Sequence, residues 1–369
     1  MSEFAAGPAG RIERVRALMV ERGYDAIVVR DEANLRWLTG VKGVFDYTFE
    51  FPHAAFITAD QCLFHTDSRY LNSFEENTPA GSPWVYDMDE GTIPGWVAGK
   101  IAANKCRVCA VEDDMQINFY QGIQRGLEDR SVACMLPLMH DDIRTMRAIK
   151  DAEEIESMIA AQRIAEKALS DIFNEIKPGV TEKEIAARLQ YLMLHYGAEN
   201  MSFDPIVVSG PNGSLPHGVP SEKAIQSGEF VTMDFGCIKN GYCSDMTRTV
   251  AVGSVTEEMK TVYETVLKAQ LAGIAKAKAG VTGRDIEAAG YGKYFGHSFG
   301  HSLGVEIHEA PNAAPMNDQP MPRGAVISAE PGIYLPGKFG IRLEDFGLVT
   351  EDGYEPFTES PHELTVIPC

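Results

Sequence analysis

The chain has 369 residues, long for one domain, and its 44% hydrophobic and 23% charged residues suit a globular protein that fills two cores without disulfide or metal staples. A formal net charge of −20 argues against a nucleic-acid partner, whose phosphates are bound through clustered Lys and Arg. Seven scattered cysteines, no apolar segment in Met1–Arg16 and no run near the roughly 18 apolar residues of a membrane span point to reduced thiols and a cytoplasmic location, without a secretory signal.

In chain order, Ile12, Val15, Leu18 and Met19 recur at helical spacing and Gly23 follows as a stop. Residues 25–30 read as a buried strand, 34–40 as a short helix, 54–67 as a strand pair and 107–112 as another strand. This is an α/β pattern with no Gly-rich phosphate loop at a strand-to-helix junction. Cys106 and Cys109 form a lone C-x-x-C on strand-like sequence, and with no second pair or histidine they read as ordinary thiols rather than a zinc site.

Pro137 interrupts an apolar run in 134–144, which marks a domain boundary and gives domains of 1–142 and 143–369. Beyond it, Asp151 with Glu154 and Thr181 with Glu184 are capping-box starts for two amphipathic helices, separated by Pro178-Gly179. A third helix is expected from about Thr256 to Ala279. Strand-like runs occupy 206–209, 230–239, 242–251, 326–330 and 341–349, so long helices pack on an antiparallel sheet in an α+β domain.

Asn240-Gly241, between two of these runs, is a strong type I′ hairpin signal, because that turn needs φ > 0 at both central residues. Lys239 then pairs with Tyr242, Asp234 falls opposite Thr247, and Asp245 lies on the same face as Asp234. Two carboxylates converging on one sheet face repel unless a cation neutralises them. A bulge would instead flip one of them to a solvated rim.

Three of the nine histidines, His297, His301 and His308, fall within twelve residues among Gly300 and Gly304. That density suits metal binding better than packing, although the order is not H-E-x-x-H. Glu330 ends an apolar strand and Glu344 sits inside the run GIRLEDFGLV, with Arg342 available as an ion-pair partner. Four carboxylates and one imidazole can serve two ions through shared oxygens. An oxygen-rich set with no thiolate suits Mn²⁺, Co²⁺ or Fe²⁺ better than structural zinc.

Together D-x-G with a second aspartate eleven residues on, GHSLGVEIHEAP, EPGIY, IRLED and SFDPIVVSGPNGSLPHGVPS resemble the creatinase/aminopeptidase P/prolidase metallopeptidases. The resemblance implies an α+β pita-bread catalytic domain preceded by a smaller α/β creatinase-type N-terminal domain, suggested also by NLRWLTG and HTDSRY. It implies two divalent metal ions, with Asp234 on one, His301 and Glu330 on the other, and Asp245 and Glu344 bridging. Glu330 would be the general base, His217 and His308 non-ligand catalytic histidines, His297 a substrate-pocket residue, and Arg342 the partner of Asp234. Mn²⁺ is the expected metal, with Co²⁺, Fe²⁺ or Zn²⁺ as alternatives, and a homodimer is implied.

The activity so implied is release of the N-terminal residue from Xaa-Pro peptides, because 202–221 is most similar to bacterial Xaa-Pro aminopeptidases and 310–322 holds no Lys or Arg to capture a proline carboxylate. The alternative is an Xaa-Pro dipeptidase, with a repurposed small-molecule enzyme or a metal-free binding module behind it. Two departures from the family pattern stand out: Ser302 follows the ligand histidine where glycine is usual, and residues 44–53 are unusually aromatic and acidic.

Overall fold

The computed structural model describes residues 6–45, 52–88, 91–290 and 296–369, so 46–51 of the aromatic stretch at 44–53 lie outside the described residues. The chain divides into two compact units, Met1–Arg147 and Ala148–Cys369. The stretch 134–144 belongs to the first, where it forms the strand Leu138–Met139 and begins the helix Asp142–Arg147. Among the described residues no helix is long and apolar enough to cross a membrane, and the seven cysteines are free.

In the first unit the helix Gly7–Arg22 closes on Gly23 at φ 71°, and the helix Glu32–Thr39 on Gly40 at φ 64°. The strand Ala26–Val29 is central in a six-stranded mixed sheet, antiparallel to Ala54–Thr58 and parallel to Cys109–Glu112. It is buried throughout, which accounts for its continuous apolar run. The helices Ile93–Ala103 and Ile117–Asp129 cover one side, packing Val97, Ile101, Ile123 and Leu127 on Val28, Phe56 and Val111.

In the second unit both capping boxes form, at Asp151/Glu154 and Thr181/Glu184, and start the helices Ala152–Ile172 and Glu182–His195. Ala161, Ala165 and Ala168 let the first approach closely, so Leu169, Leu189 and Leu192 reach Val207, Val231, Met233 and Val250. Each large side chain buried in that layer contributes about 1.5–3 kcal/mol. The third helix is Glu257–Lys276, capped by the Thr256 side chain. Its Met259, Tyr263 and Val266 pack on Phe230, Phe339 and Ile341.

The hairpin has the register expected of its turn. Lys239 pairs with Tyr242, Thr247 with Asp234, and Asn240 and Gly241 take φ 53° and 78°. The ladder is interrupted between Phe235 and Cys237, where Gly236 meets the opposite strand so closely that a Cβ would lie 1.9 Å from the Ser244 carbonyl oxygen. Asp245 sits at this interruption, between the strands Tyr242–Cys243 and Met246–Val252.

The run 341–349 is not one strand. Phe339–Arg342 pairs with Gly332–Leu335 in a two-stranded sheet, whereas Asp345–Val349 pairs with Val326–Ala329 in a five-stranded one. Glu344 lies at the crossover, where its N–H donates to the Thr247 carbonyl at 3.1 Å. The reason is tertiary: that bond draws the chain onto the hairpin before it enters the second sheet.

Candidate active site

Asp234 and Asp245 come from the hairpin, His301 from the strand Gly300–Ser302, Glu330 from the residue after Val326–Ala329, and Glu344 from the crossover. All five line one cavity of about 500 Å³ in the second unit, and His217, His297, His308 and Arg342 line it too. The sequence-derived site residues are therefore gathered in one place.

The cluster is tight. Asp245, His301 and Glu344 each offer one atom within 4.8 Å of the others. His301 Nε2 is 3.3 Å from Glu330 Oε1 and 3.5 Å from Asp245 Oδ2. His301 Nδ1 lies 3.1 Å from the Ser302 carbonyl, which can only accept, so Nδ1 carries the hydrogen. Burial lowers the His301 pKa and favours the neutral ring. A neutral ring of that tautomer points its Nε2 lone pair at two carboxylates, an arrangement that calls for a cation between them.

The carboxylates make the same demand. Burial first, then the charge of Asp234 on Asp245 and of Asp245 on Glu344, pushes these two well above the ordinary carboxyl range, and burial pushes Glu330 up to about 7. Asp234 Oδ1, Asp245 Oδ1 and Glu344 Oε1 are buried without a hydrogen-bond donor. Buried acceptors left bare cost about 1–3 kcal/mol each, and more when charged. Three carboxylates with bare oxygens, a fourth in Glu330 and an imidazole lone pair aimed among them fit divalent metal ions.

Asp234 Oδ2, Glu344 Oε2 and Glu330 Oε1 are held by protein. Arg342 Nη2 pairs with Asp234 Oδ2, and Arg342 Nε donates to Thr247 Oγ1 at 3.1 Å. That hydroxyl donates in turn to Glu344 Oε2 at 2.8 Å, and Ser328 Oγ donates to Glu330 Oε1 at 3.2 Å. Such contacts orient ligands and leave their other lone pairs toward the metal.

The family profiles agree with this chemistry. Residues 156–351 match Metallopeptidase family M24, and residues 11–149 match the Creatinase/Prolidase N-terminal domain. The chain belongs to metallopeptidase family M24. An uncharacterized peptidase of Bacillus subtilis is 36% identical over 372 residues, covering 97% of this chain and all of that one. Among solved structures, the Xaa-Pro dipeptidase from Bacillus anthracis superposes with a TM-score of 0.88 at 37% identity, over 98% of this chain and 100% of that one. The X-Pro aminopeptidase from Thermotoga maritima gives 0.86 at 34% identity, over 97% and 100%. The second unit is accordingly the pita-bread fold, and the first the creatinase-type domain.

Three features of this M24 site escaped sequence reasoning. Tyr334 Oη accepts from Arg342 Nη1 at 2.9 Å and lies 2.9 Å from His297 Nε2. Because His297 Nδ1 faces the Ser298 carbonyl at 2.9 Å, the tyrosine hydroxyl donates to Nε2. Thr247 and Ser328 are the other two. Only Tyr334 carried a signal, as the last residue of EPGIY. The two hydroxyls lie in ordinary strand sequence.

Proposed function

We propose that this protein hydrolyses the peptide bond between an N-terminal residue and proline, releasing that residue from peptides of three or more. The observation that carries this reading is the cluster of Asp234, Asp245, His301, Glu330 and Glu344, with its bare buried oxygens, inside the cavity. Divalent ions held by these five residues, with Asp245 and Glu344 shared, would polarise the scissile carbonyl and acidify water. Among the candidates, Mn²⁺ is the metal we assign to so oxygen-rich a set.

The protein's own groups divide the remaining work. The Glu330 carboxylate takes a proton from the attacking water, and that proton goes on to the proline nitrogen as the C–N bond breaks. His308, at the cavity rim, has its pKa lowered by burial and by the neighbouring His301 and His217, so it is a neutral donor to the developing oxyanion. His217 shares that task. His297 has both nitrogens engaged, by Ser298 and Tyr334, so its ring carbons form an apolar wall suited to a proline ring. Arg342 holds Asp234 in place.

The preference for longer peptides rests on charge. Among the described cavity-lining residues Arg342 is the sole Lys or Arg, and its guanidinium is taken up by Asp234, Thr247, Tyr334 and the Pro216 carbonyl. An Xaa-Pro dipeptide brings a free carboxylate with no partner there, whereas a longer peptide brings a neutral amide. The second reading, an Xaa-Pro dipeptidase, is favoured by the likeness to the Bacillus anthracis enzyme. The test is kcat/KM for Ala-Pro-Ala against Ala-Pro at matched metal and pH, with the tripeptide expected to lead. A dipeptide ahead by more than about tenfold, roughly 1.4 kcal/mol in transition-state stabilisation, replaces the aminopeptidase with a dipeptidase.

A further inference from the structure

His217 is exposed and lies on neither helix nor strand. It is the third residue of the turn Leu215–Gly218, closed by the Gly218 N–H on the Leu215 carbonyl at 3.1 Å, with Pro216 presetting φ at the second position. An imidazole so placed meets a single substrate atom only if the turn is held from outside, since misplacement by about 1 Å can cost 10²-fold in rate.

The turn is held on two sides. Facing the site, Arg342 Nη1 donates to the Pro216 carbonyl at 3.1 Å. Behind it, both feet of the excursion from Ser209 to Ser221 converge on one carboxylate. Glu182 Oε1 accepts from Ser209 N at 2.7 Å, Ser209 Oγ at 2.9 Å and Asn212 Nδ2 at 3.1 Å. Its Oε2 accepts from Asn212 Nδ2 at 3.1 Å, Ser221 N at 3.1 Å and Ser221 Oγ at 2.6 Å. Asn212 completes the link, because its own carbonyl receives the Leu215 N–H that enters the turn, at 3.0 Å.

Glu182 is fully buried, at 0% exposure, and is not among the residues lining the cavity. As the first residue of the helix Glu182–His195 it sits on a rigid element. A six-contact carboxylate is more than a cap needs, and Thr181 already caps this helix through its box with Glu184. We propose that Glu182 is the positioning residue of His217: it fixes both feet of the loop and, through Asn212, the turn that carries the imidazole. This rests on the reading of His217 as a group that acts in turnover.

The experiment is a double-mutant cycle on the metal-loaded full chain with Ala-Pro-Ala, combining Glu182→Gln and His217→Ala, with metal content measured for every variant. Glutamine keeps the shape but sets an amide N–H₂ against N–H and O–H donors. Glu182→Gln is expected to lower kcat about tenfold or more, leaving KM and metal content within about twofold, whereas His217→Ala lowers kcat by about 10². The double variant is expected to match His217→Ala alone, because the residue that Glu182 serves is already gone. A double variant that loses the product of the two single effects overturns the proposal, since Glu182 would then act elsewhere. So does a Glu182→Gln kcat equal to the parent's.

A second readout is independent of turnover. The His217 ring resonances, assigned by their loss in His217→Ala, are expected to shift and broaden in Glu182→Gln, and an unchanged spectrum overturns positioning. Full turnover in His217→Ala marks instead the failure of the functional reading, distinguishable because the spectrum still reports whether the ring is held. Should Glu182→Gln fail to fold, Ser221→Ala removes one donor and leaves the carboxylate. It is expected to give a smaller kcat loss that likewise vanishes in the His217→Ala background, and a loss that persists there counts against the proposal.

Discussion

Replacing Lys150 with methionine tests whether a buried ion pair underpins the segment that carries His308. Lys150 Nζ lies 2.8 Å from Glu309 Oε2, with side chains 1% and 4% exposed, and Glu309 directly follows His308 in the chain. Glu309 Oε1 accepts the Glu306 N–H at 3.1 Å. Gly304 leaves no slack: a Cβ there would stand 2.8 Å from Glu309 Oε2 and 3.0 Å from Lys150 Cε. Methionine keeps the length of the stem and takes the lysine cation from the carboxylate, so the cost is that of breaking a buried pair by removing one partner, about 3–5 kcal/mol. At about 2–4 °C per kcal/mol for a unit of this size, the transition of the second unit falls by roughly 6–20 °C. Adding Glu309→Gln removes the buried negative charge and recovers most of the loss. Calorimetry at one fixed Mn²⁺ concentration checks this, because bound metal itself adds stability. A single variant within about 1 kcal/mol of the parent, or a double variant no better than the single, refutes the reasoning.

Chelation is expected to abolish hydrolysis and Mn²⁺ to restore it, so full activity in metal-free protein contradicts the mechanism. Asp245→Asn and Glu344→Gln remove the oxygens shared between ions and should be the most damaging ligand changes, whereas near-native turnover with two metals per chain would end the bridging assignment. His308→Ala is expected to keep its metals and lose kcat by roughly 10²-fold or more, and metal loss would make it a ligand instead. Burial raises Glu112 from 4.5 to about 7 against the lowering effect of bonds from Arg30 N, Asn34 Nδ2 and Asp31 N. A raised folded-state pKa contributes stability that is complete below the unfolded value and lost as pH rises through the folded one. The parent should therefore lose about 3 kcal/mol relative to Glu112→Gln between roughly pH 4.5 and 7, as urea titrations can measure, and a difference flat with pH counts against the shift.

The parts legible in the sequence are those whose causes are close along the chain. Asn240-Gly241 sets a turn in which both residues take positive φ, and the turn sets the register that puts Asp234 opposite Thr247. Asp151/Glu154 and Thr181/Glu184 close their boxes within a single turn of helix. Asp234, Asp245, His297, His301, His308, Glu330 and Glu344 were marked by composition and spacing, because carboxylates and histidines set among apolar and glycine residues have little to do in a core, whereas His217 was marked only by the resemblance to the family.

Tertiary structure alone decided the rest. That 341–349 is two strands of different sheets follows from the bond between Glu344 and Thr247, 97 positions apart, and no periodicity encodes that distance. Thr247 and Ser328 are unremarkable hydroxyls until folding sets them beside Glu344 and Glu330. Glu182 reads as an ordinary helix-start acid, and only the return of the chain at Ser209, Asn212 and Ser221 makes it a hub. Lys150 and Glu309, 159 positions apart, are two surface-type residues whose burial depends on where Gly304 allows the backbone to pass. Turn and capping preferences act over about four residues and survive in a single sequence. The pairing of a buried charge is settled only when the whole chain closes around it, because its partner is chosen by space and not by spacing.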